Sequence, residues 1–378
     1  MRRALGLARR GQGRVEPNPM VGCVLVRSGQ IVGAGWHRRI GGAHAEVAAI
    51  DDCRKRGGDA RGCTAFVTLE PCAHQGKTPP CTDALIAAGV AQVCVAMLDP
   101  SALVDGRGTA ALRDAGIDVT VGVCGDEARQ LNEPYIKRVT TGLPWVIAKW
   151  AQTLDGAIAA ADGASKWISS RESRRIAHRL RARVDVVIVG IGTAIADDPM
   201  LTARGVPLRR RARRVVVDPQ LRLTGRARLI TTLDESHPVT LGVDQRVLAD
   251  SPERMQEFAA RGVEFVGLPA VPQNDQQLDL RPLLQHLAEG RSATNVLVEG
   301  GGRLLGTLFE QQLVDQVVTF VAPKLLADEN AVSGVQGRTP RSLGGAHRLE
   351  LRSVKRVEGD VMLDYRVIAE EARVKARR

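Results

Sequence analysis

The apolar positions of the first 142 residues fall into short runs of two alternating kinds. Residues 2–11 carry Ala4, Leu5, Leu7 and Ala8 on one side, the spacing of an amphipathic helix. Residues 21–26 and 30–34 are two strand-like runs around Ser28-Gly29, which predicts a strand pair. Further helices are expected over 44–55, 81–88 and 108–115, and strands over 65–69, 93–97 and 119–122. Strand–helix alternation of this kind predicts an α/β sandwich with at least partly parallel pairing.

The turn-rich join Thr140-Thr141-Gly142-Leu143-Pro144 divides the chain into domains 1–142 and 143–378. The second domain opens with a strand at 145–150, followed by an Arg-rich helix at 171–183 capped by Ser169 or Ser170. Val186, Val187, Ile188 and Val189 run without alternation, so the strand at 185–190 is read as buried on both faces. Strands follow at 215–218, 239–243, 263–268, 295–299, 316–322 and 361–367, with helices at 278–289 and 303–311. No internal repeat is visible, and the terminal EEARVKARR reads as a frayed basic tail.

Composition narrows the class. A chain of 378 residues with 44% hydrophobic and 25% charged residues is close to the soluble globular average. Aromatics are only 3%, so the cores rest on Val, Leu, Ile and Ala, and stacking of single-stranded nucleic acid lacks its platforms. No run reaches the roughly 18 apolar residues of a spanning helix. The basic start is followed by no apolar run and is no signal peptide, so a cytoplasmic location is expected and no membrane. There the 7 cysteines stay reduced, and those with chemistry to do are metal ligands or nucleophiles. The net charge is +11, and arginines crowd between Arg204 and Arg228, including Arg209, Arg210, Arg211, Arg213 and Arg214. A solvated loop face accounts for most of these; a minority would hold small anions, for which a planar guanidinium is suited.

His44-Ala45-Glu46 is followed by Pro71-Cys72 and, after eight intervening residues, by Cys81. One imidazole and two thiolates supply the three protein ligands of a catalytic zinc site, leaving a fourth position for water. Both His44 and Cys81 open predicted helices, whose positive ends favour thiolate. The metal brings the pKa of its water towards about 7. Glu46 projects from the same first turn at another angle, where it can take the water's proton and pass it to a departing amine. The order resembles that of zinc nucleobase deaminases, except that the second cysteine lies much further on. Cys23, Cys53, Cys63, Cys94 and Cys124 lack ligand spacing and are read as small buried hydrophobes.

In the second domain the strand at 295–299 runs into Gly300-Gly301-Gly302-Arg303-Leu304-Leu305-Gly306 and a helix. Backbone amides at such a turn suit a diphosphate, and glycine lets the chain approach it closely. The spacing is not that of a dinucleotide fingerprint, which would also open a domain instead of closing one; an ordinary tight turn remains the alternative. A second glycine turn, Gly190-Ile191-Gly192-Thr193, follows the buried strand. Two such strand ends predict a ligand crevice at the carboxyl edge of a sheet.

The stretch EPCAHQGKTPPC at 70–81, with Pro17-Asn18-Pro19-Met20-Val21-Gly22-Cys23 upstream, resembles the family of bifunctional riboflavin biosynthesis proteins, a pyrimidine deaminase fused to a pyrimidine reductase. The resemblance covers nearly the whole chain. It implies an N-terminal cytidine-deaminase-like α/β/α sandwich that uses Zn2+, and a C-terminal dihydrofolate-reductase-like α/β domain that uses NADPH. The first would hydrolyse the 2-amino group of 2,5-diamino-6-ribosylamino-4(3H)-pyrimidinone 5′-phosphate, and the second would reduce the ribosyl chain to ribityl. By resemblance, His74, Lys77 and Thr78 contact the ribose phosphate and Asn18 the base, with help from His37, for which a surface histidine is the alternative. In the reductase, Ala151, Trp167, Thr193 and Asp197 would line the cofactor site, and Gly301, Gly302, Arg303, Leu304, Leu305, Gly306 and Thr307 would hold its phosphates. Ser165, Arg181, Leu201, Arg204 and Glu299 would bind substrate, the two arginines on its phosphate; Lys149 and Asp155 would shape the pocket, with an ordinary turn as the alternative for Asp155-Gly156. The family usually has Asn-Pro after Asp99-Pro100, where this chain has Ser101-Ala102. The expected partner is a pyrimidine ribonucleotide-like small molecule and no nucleic acid; oligomeric state, including pairing of copies, is left open. A nucleic-acid deaminase using the basic surface, and a binding protein with a decayed reductase half, are the two competing classes.

Overall fold

The structure, a computed structural model, describes residues 1–73, 79–102, 104–272, 274–337 and 342–368. The chain divides into two compact units, Met1–Leu143 and Pro144–Arg378. The basic tail at 370–378 lies outside the described residues.

The first unit runs α1 (Arg2–Ala8), β1 (Gly22–Arg27), β2 (Gln30–Trp36), α2 (Ala45–Lys55), β3 (Thr64–Val67), α3 (Cys81–Ala87), β4 (Gln92–Val95), α4 (Arg107–Asp114), β5 (Asp118–Val121) and α5 (Gly125–Thr141). Its five strands are ordered β2-β1-β3-β4-β5. β1 pairs antiparallel with β2 and β3, whereas β3, β4 and β5 are mutually parallel, the partly parallel sheet that the alternation predicts. The core beneath α2 joins Cys23, Leu25, Ala49, Ile50, Val67, Leu85 and Val93, all buried. Helix α2 lies against β2 at a distance only glycine permits. A Cβ on Gly35 would meet the Ala49 nitrogen at 2.4 Å and the Ala45 oxygen at 2.6 Å. That close seating fixes the first turn of α2, which carries Glu46.

Helix α5 is not anticipated by hydrophobic spacing. Its buried side chains are Ala128, Asn132 and Glu133, with Pro134 inside the helix. Asn132 accepts from the Met20 amide at 2.8 Å and donates to the Met20 carbonyl at 3.0 Å, so a polar residue does the anchoring.

The second unit contains β6 (Trp145–Gln152), β7 (Ala157–Ala159), α6 (Arg171–Arg181), β8 (Val186–Gly190), α7 (Ile191–Asp197), β9 (Arg213–Val217), α8 (Arg228–Thr231), β10 (Val239–Asp244), α9 (Gln245–Ala249), α10 (Pro252–Ala260), β11 (Glu264–Leu268), β12 (Ala270–Val271), β13 (Asn274–Leu278), α11 (Arg281–Gly290), β14 (Asn295–Val298), α12 (Gly302–Glu310), β15 (Gln316–Val321), β16 (Val332–Ser333), β17 (Leu349–Val357) and β18 (Asp360–Val367). Nine strands form one sheet ordered β11-β10-β9-β8-β14-β6-β15-β18-β17. It is parallel from β11 through β15, and β18 and β17 add an antiparallel edge. As expected, Val186, Val187, Ile188 and Val189 are buried, at the centre of this sheet. Ser170 is the capping residue of α6: its hydroxyl accepts from the Ser173 amide at 3.2 Å. The second glycine turn continues into α7 instead of standing alone.

Three of the crowded arginines correct the expectation of a solvated face. Arg210 is ion-paired with Asp185, and Arg213 with Glu264 at 2.7 Å. Arg214 is fully buried and donates to Thr232 and to the His237 carbonyl. Among the spare cysteines, Cys23, Cys53, Cys63 and Cys94 are buried as expected; Cys124 is only half-buried and sits in the left-handed region at φ 58° as the N-cap of α5. No helix among the described residues is long and apolar enough to cross a membrane.

Candidate active sites

In the first unit three elements deliver one ligand each. His44 is the N-cap of α2, Cys81 is the first residue of α3 after Pro80, and Cys72 sits on the loop that leaves β3. Their ligand atoms all lie within 4.8 Å of one another. His44 Nδ1 is 3.1 Å from Cys81 Sγ and 3.6 Å from Cys72 Sγ. Tetrahedral coordination at ordinary Zn–N and Zn–S lengths places nitrogen and sulfur about 3.6 Å apart, so the set fits zinc. The Cys81 amide donates to Cys72 Sγ at 3.4 Å. The hydrogen bond from Cys81 holds the Cys72 thiol down at about 4, and the same bond pushes Cys81 up. Metal binding to such a set displaces the thiol protons.

Glu46 is 3% exposed. Burial pushes its carboxyl up to about 7, against a hydrogen bond to Cys81 and the charge of His44. Behind it, His37 is 3% exposed and meets the His44 ring edge-on at 5.4 Å, which removes the reading of a surface histidine. His37 Nδ1 lies 3.1 Å from the Ala43 carbonyl and Nε2 lies 3.1 Å from Asn18 Nδ2. Burial lowers the His37 pKa, so the ring is neutral: Nδ1–H donates to Ala43 and Nε2 accepts from Asn18. The Asn18 carboxamide is thereby oriented with its oxygen left for another donor. His74, Lys77 and Thr78 lie outside the described residues.

Glu70 was not singled out by spacing. It is 4% exposed, and its carboxylate accepts from the amides of Asp99 (3.2 Å), Gly106 (3.1 Å) and Thr109 (2.9 Å). It ties the loop 99–109 to the segment that delivers Cys72. Asp99 in turn accepts from the Ser101 amide and the Tyr135 hydroxyl, each at 2.9 Å. Ser101 thus serves the turn through its backbone.

In the second unit the carboxyl ends of β8, β14 and β6 open onto a cavity of about 1490 Å3. Small-molecule pockets commonly span about 300–1,000 Å3, so there is room for a dinucleotide. Ala151, Ser165, Thr193, Asp197, Glu299, Gly301, Gly302, Arg303, Leu304 and Thr307 all line it. Gly300 and Gly301 have φ of 115° and 73°, a conformation L side chains resist, and they present the start of α12 to the cavity. The cradle fits a diphosphate.

Seven residues expected here, Asp155 and Arg204 among them, stand outside this lining. Leu305 is fully buried, and a Cβ on Gly306 would meet the Gln336 carbonyl oxygen at 1.9 Å, so both pack behind the cradle. Leu201 is 2% exposed within the apolar core. Trp167 is 63% exposed, with the Arg174 guanidinium 4.4 Å over its ring. Arg181 does not offer a free fork: Nε and Nη2 donate to Glu299 at 2.9 and 2.5 Å, and Nη1 to the Thr202 carbonyl at 3.2 Å. Burial alone would raise the Glu299 carboxyl, but Arg181 and Lys149 hold it at about 2. Burial lowers Lys149, with Glu299 opposing. Asp155 accepts from the Leu326 and Ala327 amides at 3.1 and 2.8 Å and so ties its turn to a distant loop.

Arg204 and His178 lie near Arg181 and Glu299. Arg204 is exposed, its pKa lowered by partial burial and by Arg181 and Arg228. His178 is likewise lowered by burial, then by Arg181 and Arg204.

Comparison with known proteins joins the two sites. Residues 1–97 match the cytidine and deoxycytidylate deaminase zinc-binding region, and residues 144–363 match the RibD C-terminal domain. The riboflavin biosynthesis protein RibD of Aquifex aeolicus is 38% identical over 97% of both chains. That of Escherichia coli is 40% identical over 96% of this chain and 97% of its own. The solved RibD of Acinetobacter baumannii superposes with a TM-score of 0.82 at 35% identity, covering 97% of this chain and 98% of that one. A deaminase/reductase of Thermotoga maritima gives 0.80 at 33% identity, covering 97% of each. A zinc-binding deaminase domain precedes an NADPH-using, dihydrofolate-reductase-like domain, and the chain belongs to the RibD family of bifunctional deaminase–reductases of riboflavin biosynthesis.

Proposed function

We propose that the residues assembled at each site divide the two reactions as follows, with the deaminase ending at the join near residue 143. The observation that carries this reading is the convergence of His44, Cys72 and Cys81 beside a buried Glu46. Those three side chains hold Zn2+, which when bound acidifies water and so supplies the nucleophile at neutral pH. Glu46 accepts the proton of that water and returns it to the leaving amine, a task suited to a carboxyl lifted to about 7 by burial. Asn18, braced by His37, offers its carboxamide oxygen to the pyrimidine ring. His74, Lys77 and Thr78 are assigned to the ribose phosphate on resemblance alone.

In the second unit Ala151, Thr193 and Asp197 flank the cofactor, and Gly301, Gly302, Arg303, Leu304 and Thr307 form the diphosphate cradle. NADPH, when bound, supplies the hydride that turns the ribosyl chain into ribityl. Ser165 and Glu299 face the substrate from the cavity wall. Arg204 takes the substrate phosphate directly. Arg181 contributes charge from behind and fixes Glu299. Trp167 is assigned to the cofactor on resemblance alone, while Leu201, Leu305 and Gly306 act through packing. The remaining work of the domain is positioning.

The protein is read as a cytoplasmic enzyme with a small-molecule partner; Arg210, Arg213 and Arg214 are committed internally and supply no nucleic-acid surface.

The test is an assay of purified protein with the diaminopyrimidine phosphate and NADPH, reading ammonia and cofactor oxidation separately. Both signals are expected, ammonia first; NADPH oxidation without ammonia would remove the deaminase assignment. Arg204→Ala is expected to raise the reductase KM for the pyrimidine by roughly tenfold or more, the loss of one charge-assisted contact, with little change in the KM for NADPH. The reverse pattern would move this arginine to the cofactor.

A further inference from the structure

We propose that Glu70 is a positioning residue of the zinc site: through Pro71 it holds Cys72 in ligating geometry and so sets the affinity for the metal. The inference rests on the reading of His44, Cys72 and Cys81 as the zinc set. His44 and Cys81 are fixed by the helices they open, α2 and α3. Cys72 stands on a loop and has no such support. Its carbonyl accepts from the Thr82 amide at 3.3 Å and from the Thr82 hydroxyl at 3.4 Å. Those bonds tie Cys72 to α3 but do not fix the chain that leads into it.

Glu70 supplies that constraint. Its amide donates to the Met97 carbonyl at 3.0 Å, just beyond β4. Its carboxylate reaches α4, whose start has no side-chain cap of its own: the N-cap is Gly106, at φ 84°. Glu70 takes that role from 36 positions away. One oxygen accepts from the amides of Asp99 and Gly106, and the other from that of Thr109, the third residue of α4. An anion is favoured at the positive end of a helix, and each of these bonds is charge-assisted. The helix start then closes on Pro71. A Cβ on Gly108 would meet the Pro71 carbonyl oxygen at 1.9 Å and Glu70 Cγ at 3.1 Å, so only glycine lets α4 seat there. Residues 70 and 71 are thus fixed directly before the ligand.

The place demands a carboxylate in particular. Both oxygens of Glu70 face N–H donors, and the side chain is buried. A glutamine here would turn its NH2 group against at least one of those donors, whichever way the amide is rotated. The buried N–H left unpaired then favours displacement of the segment. Groups that orient a ligand without touching the metal commonly matter about 10- to 100-fold for metal affinity.

The test measures zinc affinity of the full chain by competition with a chromophoric chelator. It also records the absorption of the cobalt(II)-exchanged protein, whose sulfur-to-metal bands report the geometry at the two cysteines. Wild type, Glu70→Gln, Glu70→Asp and Val93→Ala are compared. Glu70→Gln should weaken zinc by about 10- to 100-fold and shift the cobalt bands. Glu70→Asp keeps the charge on a shorter arm and should fall between. Val93 is fully buried in the core beneath α2, so Val93→Ala lowers the unfolding midpoint by leaving a cavity. It should leave zinc affinity and the bands unchanged. Zinc held as tightly by Glu70→Gln as by the wild type, or weakened equally in Val93→Ala, overturns the role of Glu70 while the ligand set stands. Should Glu70→Gln fail to fold, Glu70→Asp decides: wild-type affinity and bands in that variant overturn the proposal. A wild type that takes up no zinc removes the reading of the ligand set and this assignment with it.

Discussion

Replacing Glu46 by Gln is expected to lower ammonia release by about 10²- to 10⁴-fold, the usual worth of a positioned general acid–base group. The amide keeps the shape of the carboxyl but cannot accept a proton. Glu46 is buried within hydrogen-bonding reach of Cys81 and lies outside the His44, Cys72 and Cys81 set. Zinc content should therefore be unchanged in the variant, and so should NADPH oxidation when the deaminated pyrimidine is supplied directly. Side-by-side measurement of metal content, ammonia and NADPH oxidation separates these effects. Substantial ammonia release by Glu46→Gln would remove the assigned role, and loss of metal would make Glu46 a ligand or its support.

The second large effect is expected at Glu299. Its side chain is 5% exposed and that of Arg181 15%, with a bidentate contact between them. Removing one partner of a buried pair leaves the other charge uncompensated and costs about 3–5 kcal/mol. That is a large fraction of the roughly 5–15 kcal/mol that holds a typical domain together. Glu299→Gln should therefore lower the urea midpoint of the reductase domain sharply at neutral pH and abolish NADPH oxidation. The pH dependence has a definite sign. A carboxyl lowered to about 2 from an ordinary value of 4.5 contributes stability above 4.5 that is lost as pH falls towards 2. The gap between wild type and Glu299→Gln should thus be full at pH 7 and shrink on acidification through that window. A gap that is absent at pH 7, or that widens in acid, contradicts the pairing.

The deaminase centre was legible in the sequence because its chemistry demands particular residue types at helix starts. His44, Glu46, Cys72 and Cys81 are few, uncommon and jointly constrained, so their convergence followed from spacing. Much of the reductase crevice was legible for a related reason: glycines at strand ends are backbone requirements, and Gly300 and Gly301 adopt positive φ. What stayed hidden depends on partners distant in sequence. Helix α5 packs Ala128, Leu131, Tyr135 and Ile136 against the core, but polar Asn132 and Glu133 are buried among them and Pro134 stands inside the helix, which masks the period. Arg214 reads as one more surface cation until Thr232 and His237 surround it. Arg181 looks available for phosphate until Glu299, 118 positions later, occupies it. Leu305 and Gly306 share a motif with their neighbours, yet the helical turn faces them into packed chain. Glu70 was in plain view inside the cysteine motif, but its three amide partners belong to a loop about thirty residues downstream.

The central claim, that an imidazole and two sulfurs hold the ion on which deamination depends, is tested most directly on freshly purified protein by elemental analysis before and after chelation. Ammonia release is followed on the same samples. A single zinc per chain is expected, with ammonia release lost on its removal and restored by added zinc, and with NADPH oxidation on directly supplied deaminated pyrimidine unaffected throughout. Ammonia released at an undiminished rate by zinc-free protein would contradict the account.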